Sequence, residues 1–287
     1  MRPHQWTKNL IVFAAPLFAL NFSLHTAVFA VLAFFVFCAV SSSTYLVNDL
    51  IDRRADQLHP VKRQRPIAAG MLPVPYAVGS AAALFVAGMS LSVLISPVVV
   101  LAVAIYAALQ IAYNLWLKRE PILDVMCVSG GFVTRALAGA AATSVLVSTW
   151  FLLCVALLAT FLAIEKRRAE LRALGDATPT RAVLRRYTLP VLSRIGDIVV
   201  ATGLITYGLW AAQRTEKHWM LVTVPLVAYV VFKYQMLSEE GAGEEPEMVL
   251  LKSRPIIVAI GIWVAVCVGI LVFQGHGAPF NTCSELC

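Results

Sequence analysis

Long apolar stretches alternate with short polar segments along almost the whole chain. A helix that crosses the hydrocarbon core of a bilayer, about 30 Å thick, needs roughly 20 mostly apolar residues. Nine stretches approach or reach that length, the first being short: residues 9–22, 27–48, 74–95, 97–117, 122–143, 147–165, 195–213, 218–237 and 255–274. Lipid offers no partners to unpaired backbone groups, and the alternation typical of membrane strands is missing, so each stretch is predicted to be helical. The pattern predicts an all-α membrane protein, with one domain over residues 1–287 and nine transmembrane helices.

Composition and charge agree with this class of protein and orient it. Of 287 residues, 60% are hydrophobic and 14% are charged, whereas soluble domains carry about a quarter charged residues. Basic residues gather before the first apolar stretch, after the second, fourth and sixth, and before the ninth. Because cytoplasmic loops are enriched in Lys and Arg, we expect the N-terminus and these loops to face the cytoplasm, in the plasma membrane. The net charge of +7 suits anionic headgroups or an anionic substrate and does not require nucleic acid.

Acidic residues cluster where the second apolar stretch ends, in the sequence YLVNDLIDRRAD. The spacing of the polar residues is three or four, so on a helix they would share one face. A solvated helix end neutralised by the neighbouring arginines would also explain them. Carboxylates at membrane depth are costly and usually functional, however, and oxygen ligands suit Mg²⁺, which bridges a few carboxylates to substrate phosphates. We therefore predict an Mg²⁺ site formed by Asn48, Asp49, Asp52 and Asp56.

A basic segment, HPVKRQRPIAAG, follows these carboxylates directly. Its cations Lys62, Arg63 and Arg65 would lie on the far side of a metal-bound diphosphate. Such a run can also serve only to orient the protein in the membrane. Its position a few residues after the carboxylates favours a metal and cation clamp on phosphoryl groups. We predict that these three cations bind substrate.

The motif N-D-x-x-D-x-x-x-D at residues 48–56, with the basic loop that ends in RPIAAG, resembles the first aspartate motif of the UbiA-type intramembrane prenyltransferases. Nine helices with the acidic loop on the cytoplasmic side also match that family over almost the whole chain. The resemblance implies a UbiA-type helix bundle with a polar pocket that faces the cytoplasm, and dependence on Mg²⁺. It is compatible with a homo-oligomer.

The chain departs from the family near the end of the sixth predicted helix, where members that transfer prenyl groups have a second aspartate motif. This chain reads FLAIEKRRAELRAL there, with Glu165 and Glu170 as the only acids and Lys166, Arg167 and Arg168 between them. A second carboxylate-metal site is therefore not expected. The cations favour a site for more than one separate phosphate group, although a basic helix end at the membrane interface would look the same.

Four segments together resemble one branch of the family, the decaprenyl-phosphate phosphoribosyltransferases of actinobacterial cell-wall arabinan synthesis: RPHQWTKN, YLVND, KRRAEL and GAGEEPE. That branch implies 5-phosphoribosyl diphosphate as donor, a polyprenyl (decaprenyl) phosphate as acceptor and pyrophosphate as product. The resemblance adds Asn9, Tyr45 and Glu170 to the substrate-binding residues. For such a donor we predict a catalytic set of Asp49, Asp52, Asp56, Lys8 and Lys118, in which the aspartates bind the metal and the two lysines contact the remaining phosphate oxygens.

Four more residues belong to the predicted binding set. Tyr113 lies in YNLWLKREPILD, near Lys118, at the junction of the fourth and fifth predicted helices. Arg135 lies within the fifth helix, where an unpaired guanidinium would be expensive, so we expect either a carboxylate partner or a substrate phosphate. We favour the phosphate. Lys166 and Arg167 are predicted to bind substrate as well.

Two other functions explain part of the pattern. An ordinary UbiA-type prenyltransferase would use the same carboxylates to ionise a prenyl diphosphate, with an aromatic or other acceptor. A transporter or lipid-binding membrane protein would explain the helices and the intramembrane charge, but not the acidic and basic series on one loop. The acidic segment at residues 239–247 either closes over a bound donor or stays a solvated loop, and Cys283 and Cys287 could oxidise on the outer side.

Overall fold

The computed structural model describes residues 3–20, 23–58, 62–174, 182–215, 218–239, 249 and 252–273. Every regular element in these ranges is a helix. The α-helices are α1 (Ala14–Phe18), α2 (Leu24–Ile51), α3 (Arg53–Leu58), α4 (Val74–Val93), α5 (Pro97–Leu115), α6 (Leu123–Ala142), α7 (Thr149–Leu174), α8 (Leu189–Arg214), α9 (Val224–Glu239) and α10 (Arg254–Phe273). Short 3-10 helices lie at Lys62–Gln64, Leu117–Arg119, Ala182–Arg186 and Trp219–Thr223, and a longer one at Pro3–Phe13. The predicted acidic segment beyond Glu239 and the two C-terminal cysteines lie outside the described residues.

Eight helical stretches among the described residues are long and apolar enough to cross a membrane. They are α2, α4 to α8, the run Trp219–Glu239, and α10. The chain is therefore a multi-pass membrane protein. The ninth predicted crossing, over residues 9–22, is not confirmed. That region continues the 3-10 helix Pro3–Phe13 into the five residues of α1, so it contains no helix of the required length.

Polar caps and prolines mark where several helices begin. Ser23 precedes α2, Ser96 precedes α5 and Thr188 precedes α8, and each hydroxyl accepts a hydrogen bond from a backbone N–H of the first turn. Those N–H groups have no partner within the helix, so the caps satisfy them. Proline stands in the first turn of α5 and α8, where its missing N–H costs nothing. Helix α5 thus begins at its predicted boundary, whereas α2 and α8 begin a few residues before theirs.

Contacts divide the chain into two compact units, of which the first comprises residues 1–17, 21–118 and 130–145. Its core surrounds α2 and includes Phe37, Val40, Val103 and Tyr106. Helix α4 packs closely on α2, since a Cβ added at Gly88 would lie 2.5 Å from a methyl group of Val40. The first unit also holds the acidic segment predicted to bind metal.

Residues 3–13, here called the N-terminal segment, run antiparallel to α2 within the first unit. Four hydrogen bonds and one ring contact join them, among others: Tyr45 to Gln5, Trp6 to Ser42, Asn9 to Cys38 and to Ser41, and Phe13 against Phe34. A 3-10 helix rises about 2.0 Å per residue and an α-helix about 1.5 Å. The eight steps from residue 5 to residue 13 therefore match the eleven steps from residue 45 back to residue 34, each covering about 16 Å.

The second unit comprises residues 18–20, 119–129 and 146–287. One core cluster includes Ile164 and Leu192, and joins α7 to α8. Another includes Phe161, Tyr234 and Ile256, from α7, α9 and α10. Helix α7 thus lies at the centre of the second unit. It continues through the charged sequence EKRRAEL, whose side chains the structure buries in part.

Candidate functional site

The acidic residues lie where α2 gives way to α3 in the first unit. Helix α2 ends at Ile51, Asp52 follows it, and α3 begins at Arg53. The amide of Asp52 still donates to the carbonyl of Asn48 at 2.9 Å, and that of Asp56 donates to the carbonyl of Asp52 at 2.8 Å. The helical path is therefore nearly continuous, and it keeps the predicted residues in register despite the change of helix.

Arg65 joins two of the buried carboxylates. Its Nη1 lies 3.2 Å from Oδ1 of Asp49 and 2.6 Å from Oδ2 of Asp56. These aspartates are 8% and 4% exposed, and buried carboxylates are stable only when they are paired or hydrogen-bonded. Both oxygens reach the same nitrogen, so the two side chains converge on one cation-binding position.

Lys118 binds the third carboxylate. Its Nζ lies 2.7 Å from Oδ1 of Asp52, a residue 66 positions away in the sequence. Helix α5 ends at Leu115, and the 3-10 helix Leu117–Arg119 then turns Lys118 toward the acidic segment. Two residues that were predicted separately, as a metal ligand and as a phosphate contact, therefore lie side by side.

The donor set fits Mg²⁺ when the metal arrives with a diphosphate. Within the described part of the chain, no three His, Cys, Asp or Glu side chains are placed to hold a metal by themselves. Mg²⁺ does not need such a cage, because it keeps several waters and shares its ligands with substrate phosphates. Asp49 and Asp56 already converge on a cationic nitrogen. Their hard oxygen atoms suit a divalent ion at that position.

Other predicted residues of the first unit lie on neighbouring elements. Asn48 and Tyr45 are half-buried near the end of α2, and Tyr113 is half-buried on α5. Lys62 is half-buried and Arg63 exposed in the 3-10 helix that precedes Arg65. Lys8 is half-buried in the N-terminal segment. The structure places these side chains without testing what they bind.

Arg135 has an arrangement that the sequence did not suggest. Its guanidinium donates to Oδ1 of Asn9 at 2.7 Å, to the carbonyl of Gly131 at 2.8 Å and to the hydroxyl of Tyr106 at 2.9 Å. Its Cζ lies 4.4 Å from the centre of the Tyr106 ring. The side chain is 4% exposed. Neutral oxygens and an aromatic face, rather than the carboxylate we considered, hold this cation within the described residues, and its contact with a substrate phosphate stays a prediction.

Asn9 is the partner that links Arg135 to the N-terminal segment. It is fully buried, and its amide nitrogen donates to Sγ of Cys38 at 3.3 Å and to Oγ of Ser41 at 3.4 Å. Its carbonyl oxygen accepts from Arg135. Contacts inside the protein therefore already use the side-chain nitrogen and oxygen of Asn9, the same atoms that its predicted role in substrate binding would require.

A buried charge network occupies the second unit. Arg167 donates to Oδ2 of Asp124 at 2.7 Å and to Oε2 of Glu170 at 2.7 Å. The Tyr187 hydroxyl donates to the other oxygen of Asp124 at 2.7 Å and accepts from the Ile122 amide at 2.5 Å. Burial raises the pKa of Tyr187 to about 12, and the bond to Asp124 adds to the shift. Arg167 and Glu170, both predicted to bind substrate, are thus held by one another and by Asp124.

A second set of pairs on α7 begins at the next residue, Arg168. Arg168 contacts Glu165 at 2.6 Å and also contacts Glu239. Arg172 contacts Glu239 as well and donates to the carbonyl of Ser238 at 3.1 Å. These bonds anchor the end of α9. Lys166, also predicted to bind substrate, is half-buried on the same helix.

Sequence reasoning missed Tyr106, Asp124 and Tyr187 as partners of the predicted site residues. Asp124 could have been found, because a buried acid in the first turn of one predicted helix and an arginine near the end of another are an expected pair. No local pattern distinguished Tyr106 or Tyr187 from tyrosines that only pack. Their roles depend on contacts 29 and 63 residues apart in the sequence.

The helical membrane spans and the carboxylates paired with cations define a multi-pass membrane protein whose polar site has the chemistry to hold a magnesium diphosphate. The chain belongs to the UbiA prenyltransferase family, whose model matches residues 10–254. It is 36% identical to a decaprenyl-phosphate phosphoribosyltransferase of Mycolicibacterium smegmatis over 281 residues, which cover 92% of this chain and 88% of the relative. It is 37% identical to a protein of the same name from Corynebacterium glutamicum over 276 residues, with 92% and 83% covered.

The fold is also similar to that of solved proteins. A UbiA homologue from Archaeoglobus fulgidus, bound to GPP and Mg²⁺, matches with a TM-score of 0.72. The match covers 94% of this chain and 97% of that one, at 18% sequence identity. This likeness establishes the fold, and the closer sequence relatives bear on the choice of substrate.

Proposed function

We propose that the protein transfers a 5-phosphoribosyl group from 5-phosphoribosyl 1-diphosphate to a polyprenyl phosphate and releases pyrophosphate. One structural observation carries the proposal. Asp49, Asp52 and Asp56 lie at the junction of α2 and α3, and each contacts a cation: Arg65 contacts Asp49 and Asp56, and Lys118 contacts Asp52. Such a set can hold a metal diphosphate. The two relatives described above, which are decaprenyl-phosphate phosphoribosyltransferases by name, support the choice of donor and acceptor.

Each residue of the cluster has a role in this reaction. Asp49, Asp52 and Asp56, with Asn48, would hold Mg²⁺, which when bound neutralises charge on the leaving diphosphate. Arg65 and Lys118 would bind phosphate oxygens that the metal leaves uncovered, and Lys8 and Lys62 would add further positive charge. Charge-assisted bonds of this kind are the strong ones in phosphate recognition.

The chemical step is a glycosyl transfer at C1 of the ribose. The C1–O bond to the diphosphate breaks, and an oxygen of the acceptor phosphate forms the new bond to C1 as pyrophosphate departs. The transition state has oxocarbenium character, as in other glycosyl transfers. A phosphate monoester has a second pKa near 6, so the acceptor is largely dianionic at neutral pH and needs no strong general base.

The location of the reaction follows from the charge distribution. We propose that the acidic and basic segments face the cytoplasm of a plasma membrane, since the basic loops lie on that side by the positive-inside tendency. The polyprenyl tail of the acceptor would then remain among the lipids while its phosphate reaches the polar site. Transfer in this location would supply precursors for cell-wall arabinan.

A donor screen tests the proposal. Purified protein in detergent receives Mg²⁺, either decaprenyl phosphate or an aromatic acceptor, and labelled 5-phosphoribosyl, farnesyl or geranylgeranyl diphosphate. The labelled product and the released pyrophosphate are measured. We expect product only when the donor is 5-phosphoribosyl diphosphate and the acceptor is decaprenyl phosphate. Prenyl transfer to an aromatic acceptor, with the phosphoribosyl donor inert, would instead identify an ordinary prenyltransferase of the same family.

A further inference from the structure

Arg135 is a buried cation whose function the proposed reaction does not explain. It is 4% exposed within α6, and the acceptors that surround it are neutral: an amide oxygen, a backbone carbonyl and a phenol. A guanidinium at membrane depth is expensive to keep and is normally functional. The three hydrogen bonds and the Tyr106 ring offset this cost, and they also fix where the guanidinium lies.

The position of Arg135 along α2 places it away from the carboxylates. Its partner Asn9 also bonds to Cys38 and Ser41, so the guanidinium lies at the level of that turn of α2. Asp49 comes eight residues after Ser41, which is about 12 Å further along a helix. A side chain held at this level by three bonds does not contact a phosphate that the aspartates bind. From this level, Arg135 can affect that diphosphate through a residue that lies between them.

Asn9 is that residue, because of the form of the N-terminal segment. Side chains three apart eclipse in a 3-10 helix, so Trp6, Asn9 and Val12 share the face that contacts α2 and α6. Gln5 and Lys8 share the next face, and Gln5 accepts from Tyr45 one turn before the acidic motif. Fixing Asn9 therefore fixes the orientation of Lys8, the adjacent residue.

We propose that Arg135 is a positioning residue that holds Asn9, and with it the N-terminal segment, against α2 so that Lys8 is directed toward the diphosphate. The role of Lys8 rests on the proposed function, whereas the link between Arg135 and the segment does not. This separates Arg135 from the phosphate ligands: it acts on the geometry of a cation and not on the substrate.

The experiment compares four variants with the wild type: Arg135→Gln, Arg135→Lys, Asn9→Ala and, as a matched control, Arg194→Gln, which changes an exposed arginine on α8. Amide hydrogen exchange is measured in detergent without substrates. We expect exchange of residues 5–13 to rise about tenfold or more in Arg135→Gln and in Asn9→Ala, and less in Arg135→Lys, which keeps the charge. Exchange of α8 should stay unchanged in all four.

Transfer kinetics of the same proteins separate positioning from binding. The turnover number should fall about tenfold or more in Arg135→Gln and Asn9→Ala, while KM for the donor stays within about threefold. A fifth variant, the double variant Arg135→Gln/Asn9→Ala, should have a turnover number no lower than that of the less active single variant. Each single change already removes the same link. Arg135→Lys should recover part of the turnover.

Specific results would overturn the proposal. Unchanged exchange of residues 5–13 in Asn9→Ala would show that the link does not hold the segment, and this variant remains informative if Arg135→Gln fails to fold. A rise in donor KM that matches the loss in turnover, with additive effects in the double variant, would make Arg135 a substrate ligand. If the wild type transfers no phosphoribosyl group, the proposed function fails, and the exchange data still decide the positioning role.

Discussion

At the scale of single residues, the three aspartates differ in burial and in the cations with which they pair. Asp56 is almost fully buried and contacts Arg65 at 2.6 Å, whereas the side chain of Asp52 is 32% exposed and contacts Lys118. An exposed ion pair contributes about 0–1 kcal/mol to stability, and removal of one partner from a buried pair costs about 3–5 kcal/mol. Asp52 can therefore be changed with little loss of folding.

The first prediction uses this difference. Asp52→Asn should lower phosphoribosyl transfer by about two to three orders of magnitude, because a residue that stabilises developing charge on the leaving group is lost. Its thermal unfolding midpoint should remain near that of the wild type. Asp56→Asn should also abolish transfer, but with a lower midpoint, since Arg65 loses a buried partner.

The control for both variants is Asp197→Asn, which changes an exposed aspartate on α8. It should retain wild-type transfer. Full activity of Asp52→Asn and Asp56→Asn, or wild-type turnover in chelator without any divalent ion, would remove these carboxylates and the metal from the mechanism.

Tyr187 carries a prediction about pH. A free phenol has a pKa of about 10, and the folded protein raises that of Tyr187 to about 12. The unfolded chain therefore loses this proton first as pH rises, so the stabilising contribution is complete below about pH 10 and declines between about pH 10 and 12. Tyr187→Phe should lower stability by about 1–3 kcal/mol at pH 9, because Asp124 and the Ile122 amide each lose a partner.

The measurement is the unfolding midpoint in detergent at pH 9 and pH 11. The wild type should lose more stability between these pH values than Tyr187→Phe does. Tyr229→Phe, a change of an exposed tyrosine on α9, should show the wild-type decline. Equal declines in all three proteins would assign the loss of stability to other groups.

At the scale of elements, the apolar pattern predicted some helices closely and others poorly, for physical reasons. The stretches 97–117 and 255–274 correspond to Pro97–Leu115 and Arg254–Phe273. Ser96 caps the start of the first helix, and Lys252 and Arg254 mark the start of the second. The stretch 147–165 corresponds to Thr149–Leu174. The apolar stretch ends before Lys166, but the helix continues through EKRRAEL, where Arg167 pairs with Asp124 and Arg168 pairs with Glu165 and Glu239.

The site could be predicted only in its local part. The spacing of Asn48, Asp52 and Asp56 placed them in register, and the helical bonds between them agree. The contact of Lys118 with Asp52 joins residues 66 apart, and that of Arg135 with Asn9 joins residues 126 apart. Such distances depend on how helices pack, which one sequence does not reveal. The predicted roles of the site residues in binding and catalysis stay predictions.

Close packing of α6 against the N-terminal segment gives a prediction for one glycine. A Cβ added at Gly139 would lie 2.1 Å from the carbonyl oxygen of Val12, so Gly139→Ala must push the two backbones apart. We expect a loss of about 1–3 kcal/mol, typical of overpacking, measured as a lower unfolding midpoint. Gly79→Ala on α4 is the matched control, because a Cβ there meets nothing within 4 Å. Equal stability of the two variants would contradict the close approach.

At the scale of the whole molecule, the number of membrane crossings depends on the N-terminal segment. Eleven residues of 3-10 helix at about 2.0 Å each, with the five of α1 at about 1.5 Å, span about 30 Å, the thickness of the hydrocarbon core. A segment with fewer residues than a membrane-spanning α-helix can therefore still be long enough to cross the hydrocarbon core when most of it is a 3-10 helix. We predict that it crosses the membrane and restores the ninth span.

Labelling with a membrane-impermeant maleimide in intact cells tests this topology. In a background without other cysteines, Leu24→Cys should react from outside, whereas Gln57→Cys and a cysteine tag fused before residue 1 should react only after the cells are opened. Both positions 24 and 57 are exposed. Labelling of the tag and of position 24 from the same side would show that the N-terminal segment does not cross.

The contacts of Arg135 also bear on the order in which the protein is made. Ribosomes deliver the chain from its N-terminus, and Asn9 and Tyr106 both precede Arg135. When α6 enters the bilayer, the acceptors for its cation have therefore been synthesised. The partners of Asp124 are synthesised after it, since Arg167 and Tyr187 follow it by 43 and 63 residues. It lies in the first turn of α6, where a nascent helix can keep a carboxylate hydrated at the membrane surface until those partners arrive.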